Sequence, residues 1–186
     1  MPLFIRNPSM IAIISVLAAL CLAIQLAPRP PNVEFTSLLA LVVGFVFGSS
    51  VGIFFGGFIM FVNGFFSPWG FAGLNMPFQM VGMGVVGFIG GVYKRHVQSY
   101  SSARFYFEVS VLGAFLTVLY DFITNFGVAL SYVIIGMHPT LAVVTAVAYG
   151  APFSLIHVSS NIAVFGTLFF PLIKAVNQIS MVKNLG

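Results

Sequence analysis

Long apolar runs separated by short breaks constrain this chain more than any single motif. They fall at roughly 9–27, 35–48, 51–66, 77–93, 106–135 and 152–175. A helix crossing the ~30 Å hydrocarbon core of a bilayer needs about 20 predominantly apolar residues. Within that core every backbone amide must find its partner inside the protein. The runs are continuous rather than alternating, which argues against an outer-membrane barrel. The chain is 60% hydrophobic and 5% charged, against about 25% charged in soluble domains. The expectation is an all-α integral membrane protein, a six-transmembrane-helix bundle forming a single membrane domain over 1–186.

The breaks set the expected boundaries. The runs at 35–48 and 51–66 are short and nearly touch, with Gly48-Ser49-Ser50 as the turn between them. A tight hairpin or one broken helix fits, and the hairpin is favoured. The first run ends in Pro28-Arg29-Pro30-Pro31 rather than at a small-residue cleavage site, so a retained helix is expected. His138-Pro139 marks the end of the fifth helix, and Pro152 suits the first turn of the sixth. Residues 140–151 are left as a short helix or a re-entrant segment.

Six spans place both termini on one side, and the seven basic residues identify it. With cytoplasmic termini, Arg6, Lys94, Arg95, Arg104, Lys174 and Lys183 lie inside and only Arg29 lies outside, a clear positive-inside bias. A multi-pass protein of the cell membrane is expected. The net charge of +4 is too scattered for nucleic-acid binding. The lone cysteine, Cys21, gives neither a disulfide framework nor a thiolate metal site. The GxxxxGK[ST] phosphate loop is absent, so the chain does not hydrolyse a nucleotide by itself. No catalytic residue, cofactor or metal is expected.

Only three acidic residues occur in the chain, and Asp121, in Tyr120-Asp-Phe-Ile-Thr-Asn-Phe-Gly127, sits in the middle of the fifth run. At 1.5 Å per residue it lies about 20 Å up from the inner face. His157 and Asn161, on the sixth helix, reach overlapping depths. Asp121/Asn125 and His157/Asn161 are both i,i+4 pairs, so each shares a helix face. Gln25, Asn63 and Gln79 fall near outer helix ends, and Glu34, Trp69 and Asn75 in outer loops. The inner halves are aliphatic, aromatic or glycine. Ionisable groups in a bilayer normally face a cavity or a partner. The asymmetry therefore predicts a pocket open to the outside, with Asp121, Asn125, His157, Asn161, Asn63, Gln79, Trp69 and Glu34 as substrate-binding residues. Each Asn or Gln could instead be interhelical glue. Asp121 with His157 could be a structural pair, and Glu34 and Arg29 could simply be solvated.

Small residues repeat every four positions on the first helix (Ser15, Ala19, Ala23, Ala27) and through the second and third (Gly44, Gly48, Gly52, Gly56). Glycines also thin out the fourth. Such faces let helices approach closely. Internal packing explains any one of them, but an exposed face on the first helix would be a docking surface for another membrane subunit.

These features together resemble a family. The small-residue first helix, the PxPPNVEFTSLLALVVGFVFGSSVG segment and SPWGFAGLNMPFQMVGMGVVG are similar to the substrate-binding S components of energy-coupling factor transporters. YDFITNFG and GAPFSLIHVSSNIAVF resemble that family's last two helices, so the resemblance covers roughly 9 to 175. It implies capture of a vitamin or related micronutrient in an outward-facing pocket. Delivery would follow docking on a transmembrane T component powered by two ATP-binding-cassette ATPases. It also implies docking through Ala19 and Ala23, with Ser15 extending the motif. Asn32-Val33-Glu34 and Pro68-Trp69 to Gln79 look closest to the riboflavin/cobalamin-like branch. Three other functions stay open on the residues alone. One is a stand-alone proton-coupled carrier using Asp121, although the internal repeats usual in such carriers are missing. Another is an intramembrane enzyme using His157 and Asp121, with Ser154 near. The last is an assembly subunit.

Overall fold

The computed structural model describes residues 8–97 and 103–182, and its regular elements are all helical among those residues. The helices are α1 (Pro8–Leu26), α2 (Thr36–Phe47), α3 (Ser49–Phe66), α4 (Met76–Lys94), α5 (Ala103–Ile134) and α6 (Pro139–Val182). A 3-10 turn, Gly73–Asn75, precedes α4. Among the described residues, five helices are long and apolar enough to cross a membrane, and α2 is a shorter apolar helix.

α2 occupies the centre. It is apolar on all sides, and every residue except Val46 is buried, as expected of a helix with no polar face. At 12 residues it is about 18 Å long, too short to span the ~30 Å core alone. It does not need to, because α3, α4, α5, α6 and α1 all contact it. One residue, Gly48, joins it to α3, with φ of +100°. That left-handed backbone, strained for any residue with a side chain, turns the chain back on itself. Gly52 of α3 then lies against the Gly44 backbone of α2, which is the hairpin rather than a broken rod.

α4 packs into this hairpin through glycine. A Cβ on Gly44 or Gly52 would strike the Gly87 carbonyl, and one on Gly90 would strike the Leu41 carbonyl. Ser49 Oγ donates to the Phe88 carbonyl at 3.0 Å, and Lys94 Nζ to the Val46 carbonyl at 3.3 Å. These bonds bring the ends of α2 and α4 to the same side of the bundle. Ile13, Leu17, Cys21 and Gln25 form the buried stripe of α1. Its opposite face is exposed. Arg6 and Lys183, two of the six charges that orient the chain, lie outside the described residues.

The last helix differs from the sequence expectation. It starts at Pro139 rather than Pro152 and absorbs residues 140–151, so it contains 44 residues with Pro152 and Pro171 in its interior. Proline is a poor stop signal here, because neighbouring helices and local adjustments re-satisfy the freed carbonyl in membrane helices. Pro139 takes the first-turn position, where a missing amide costs nothing. Ala142 and Ala146, one turn apart, are buried along the added stretch. α5 stops at Ile134, and Gly136, with φ of +97°, makes the reversal.

Candidate functional site

Beneath the loops joining α1 to α2 and α3 to α4, a cavity of about 370 Å³ opens between the helices. Seven of the eight substrate-binding residues expected from the sequence line it: Glu34, Asn63, Trp69, Gln79, Asp121, Asn125 and His157. Asn161 does not. It is completely buried below the cavity, one layer behind the wall, because it lies a full turn deeper on α6 than His157.

The wall is organised by a three-membered ionisable chain. His157 Nδ1 faces Asp121 Oδ1 at 2.8 Å, and His157 Nε2 faces Glu34 Oε1 at 3.2 Å. All three groups are buried, at 3%, 7% and 6% exposure for His157, Asp121 and Glu34. Asn161 Nδ2 donates both to Glu34 Oε1 (3.2 Å) and to Thr117 Oγ1 (2.8 Å). Thr117 in turn donates to the Gly113 carbonyl at 2.7 Å. Three sequence-distant segments are thereby tied together: α5, α6 and the α1–α2 loop.

The proton inventory of the chain follows from geometry. An imidazole ring held between two carboxylates needs one proton in each contact. Either the imidazole carries both, or it carries one and a carboxyl carries the other. Both arrangements leave one net negative charge. Although burial alone would raise the Glu34 carboxyl, the His157 bond and charge and the Ser37 N–H outweigh it. The Ser37 amide donates to Oε2 at 3.0 Å, and together these groups hold the carboxyl below the ordinary carboxylate range. Glu34 is therefore the ionised end of the chain. Both its oxygens are occupied, whereas Asp121 Oδ2 is buried with no hydrogen-bond partner.

Other cavity residues share that condition. Asn63 Oδ1, Asn75 Oδ1, Gln79 Oε1 and Arg29 Nε are buried and unpartnered. Buried polar atoms are nearly always paired in folded proteins, since an unmade hydrogen bond costs about 1–3 kcal/mol. Five such atoms, counting Asp121 Oδ2, belong to residues that line this one cavity. Tyr120 closes one side. Its ring meets the His157 ring edge-on at 5.9 Å and packs over Gly82, while its hydroxyl lies 3.5 Å from Met60 Sδ. At the mouth, Trp69 and Phe71 are 61% and 65% exposed.

The structure adds residues that the sequence reading did not select for the site. Arg29, Asn32, Gln25, Thr124 and Asn75 line the cavity, and Thr117 supports it from below. Thr117 had a signal: it sits one turn before Asp121, on the face of the Asp121/Asn125 pair. Arg29 had another, as the one basic residue against the positive-inside bias. On α1, the expected docking residues Ser15, Ala19 and Ala23 lie on the exposed face, opposite the buried stripe.

No match was found among curated proteins or among solved structures. The family described as ECF transporter, substrate-specific component, matches residues 9–182. That match covers nearly the whole chain and all six helices. The chain therefore belongs to the substrate-specific components of ECF transporters, as a multi-pass protein of the plasma membrane.

Proposed function

We propose that this substrate-specific subunit, of the riboflavin/cobalamin-like branch of the family, captures a vitamin or related micronutrient from the outer side. The observation that carries the proposal is the cavity beside Asp121, where a carboxylate oxygen, three amide oxygens and an arginine nitrogen are buried without partners. A bound ligand would donate to Asp121 Oδ2 and pack on Tyr120 and Trp69. His157, Glu34 and Asn161 would position Asp121. Both termini would be cytoplasmic, which puts the cavity outside. The exposed Ser15/Ala19/Ala23 face would dock on a transmembrane T component, and two ATP-binding-cassette ATPases would drive release inward.

The test is to purify the full chain in mild detergent without added ligand and identify the retained small molecule by mass spectrometry. A thermal-shift panel of vitamins follows. Asp121→Asn keeps the shape of the side chain and removes an ionisable group from a chain that carries one net negative charge. Losing a hydrogen bond to a charged group, worth about 1.5–3 kcal/mol, predicts roughly 10- to 150-fold weaker binding in that variant. Unchanged affinity in Asp121→Asn, or no ligand in any assay, would remove Asp121 from the site.

Docking has its own expected result. Ala19→Leu projects from an exposed face, so thermal stability and ligand binding should match wild type. Co-purification with the T component and ATPases should fall sharply, because a leucine holds the two helix backbones apart. Normal assembly of Ala19→Leu would move the docking surface elsewhere.

A further inference from the structure

The two loops that roof the cavity differ in kind. The α1–α2 loop, residues 27–35, carries Arg29 and Glu34 and exposes no large apolar side chain. The α3–α4 loop has no charge to offer: between Glu34 and Lys94 the chain contains no Asp, Glu, Lys, Arg or His. From the end of α3 through this loop, Phe66, Trp69, Phe71 and Leu74 are all more than half exposed, at 70%, 61%, 65% and 54%. Water is a poor neighbour for four such side chains in one short segment.

The loop is folded back on the helix it leaves. Gly70 N–H donates to the Ser67 carbonyl at 3.0 Å, and Ala72 N–H returns to the Gly64 carbonyl of α3 at 2.9 Å. Gly70, with φ of +102°, permits that reversal. Phe71 is thereby brought onto Phe65, with ring centroids 5.5 Å apart, and Phe65 meets Phe61 edge-on at 5.2 Å. Phe54, Phe58, Phe61 and Phe65 follow helical spacing and so share one face of α3. All four are exposed, on a helix long and apolar enough to cross a membrane. The apolar surface of the loop therefore continues the membrane-facing surface of α3.

Two opposing requirements fix what that surface meets. Its side chains disfavour water, yet its irregular backbone cannot lie in hydrocarbon, where lipid-exposed N–H and C=O groups would go unpaired. The boundary between headgroups and acyl chains satisfies both, and it suits an indole, with its apolar body and polar N–H. We propose that the α3–α4 loop is seated in this boundary of the bilayer through Phe66, Phe71 and Leu74. Lipid rather than water then backs this part of the cavity roof. Phe71 is the joint, since it lines the cavity and stacks on the aromatic face of α3. The seat is independent of what the cavity binds.

The test exploits the chain's one tryptophan, Trp69. In a Trp69→Phe background, Phe66→Trp and Phe71→Trp move it onto the seat, and Phe58→Trp moves it to the middle of α3 as a depth reference. Each is an aromatic exchange at an exposed position, so folded protein is expected from all three. The full chain is placed in phosphatidylcholine nanodiscs whose acyl chains carry bromine either near the headgroup or near the chain end, and iodide is added to the water. Fluorescence at positions 66 and 71 should be lost mainly to bromine near the headgroup, and at position 58 mainly to bromine near the chain end. Adding Phe66→Ser and Leu74→Ser, two positions outside the cavity lining, to the Phe71→Trp protein should shift its quenching from lipid to iodide. Quenching of positions 66 and 71 by iodide and by neither lipid would place the loop in water and overturn the seat. Quenching like that of position 58 would sink the loop into hydrocarbon and overturn it too. Protection from iodide and both lipids would mean that protein, a second copy or another subunit, covers the patch instead.

Discussion

His157→Ala is expected to destabilise the protein by about 3–5 kcal/mol, the usual cost of removing one partner from a buried charged network. The thermal midpoint in detergent would fall by many degrees. The loss is electrostatic before it is steric. Without the imidazole, Asp121 Oδ1 and Glu34 Oε1 lose their shared partner. Two buried carboxyls then face each other, and the α1–α2 loop loses a tie to α6. Ser160 Oγ, which donates to the Asn32 carbonyl at 3.3 Å, still holds part of that loop, so local loosening is expected rather than complete unfolding. A triple variant, Glu34→Met, Asp121→Leu, His157→Leu, separates the causes. It deletes every charge of the network and keeps most of the volume, and replacing a buried ionic group by apolar residues of similar volume is often neutral or stabilising. It should recover more than half of the lost stability while binding no ligand. If it is as unstable as His157→Ala, the network contributes through shape and hydrogen bonding rather than through charge.

That comparison bears on why the network is kept. A core of leucine at these positions would be the simpler route to stability. Glu34, Asp121 and His157 instead cluster beside a cavity whose wall holds several unpartnered polar atoms. Under the proposed function, the arrangement trades stability for a site that a ligand completes.

The architecture was legible where physics acts along the chain. Apolar runs and the basic residues between them located helices and turns within a few residues for α1 to α5. The start of α6 was not legible, because Pro152 carries the same local signal in a first turn and inside a packed membrane helix, and only the neighbours distinguish them. At the site, helical spacing and depth brought Asp121, Asn125 and His157 to one level. Depth alone could not decide which side of a wall Asn161 occupies, since that depends on how far α6 is rotated against α5. Nor could it recruit Arg29. The α1–α2 loop folds inward because Glu34 is drawn to His157, a contact 123 residues apart in sequence.

The second large effect concerns the framework. Gly87→Ala places a Cβ against the Gly52 carbonyl, with backbone rather than a yielding side chain in its path. Helices α3 and α4 must separate, and overpacking of this kind costs about 1–3 kcal/mol. Gly87→Leu should abolish a monodisperse folded protein, read by size-exclusion profile and thermal midpoint. Gly57→Ala is the internal control. It lies on the same helix pair, but its Cβ would meet only the Met80 carbonyl at 3.8 Å, an ordinary contact. Alanine is favoured over glycine in a helix by about 1 kcal/mol, so Gly57→Ala should be neutral or slightly stabilising. The contrast also predicts a functional difference. α3 carries Asn63 and α4 carries Gln79 into the cavity wall, so separating the two helices moves both amides. Gly87→Ala should therefore weaken ligand binding although it lies well below the site, while Gly57→Ala should not. Equal behaviour of the two alanine variants would mean that the close glycine approach of α3 and α4 does not set the geometry of the cavity.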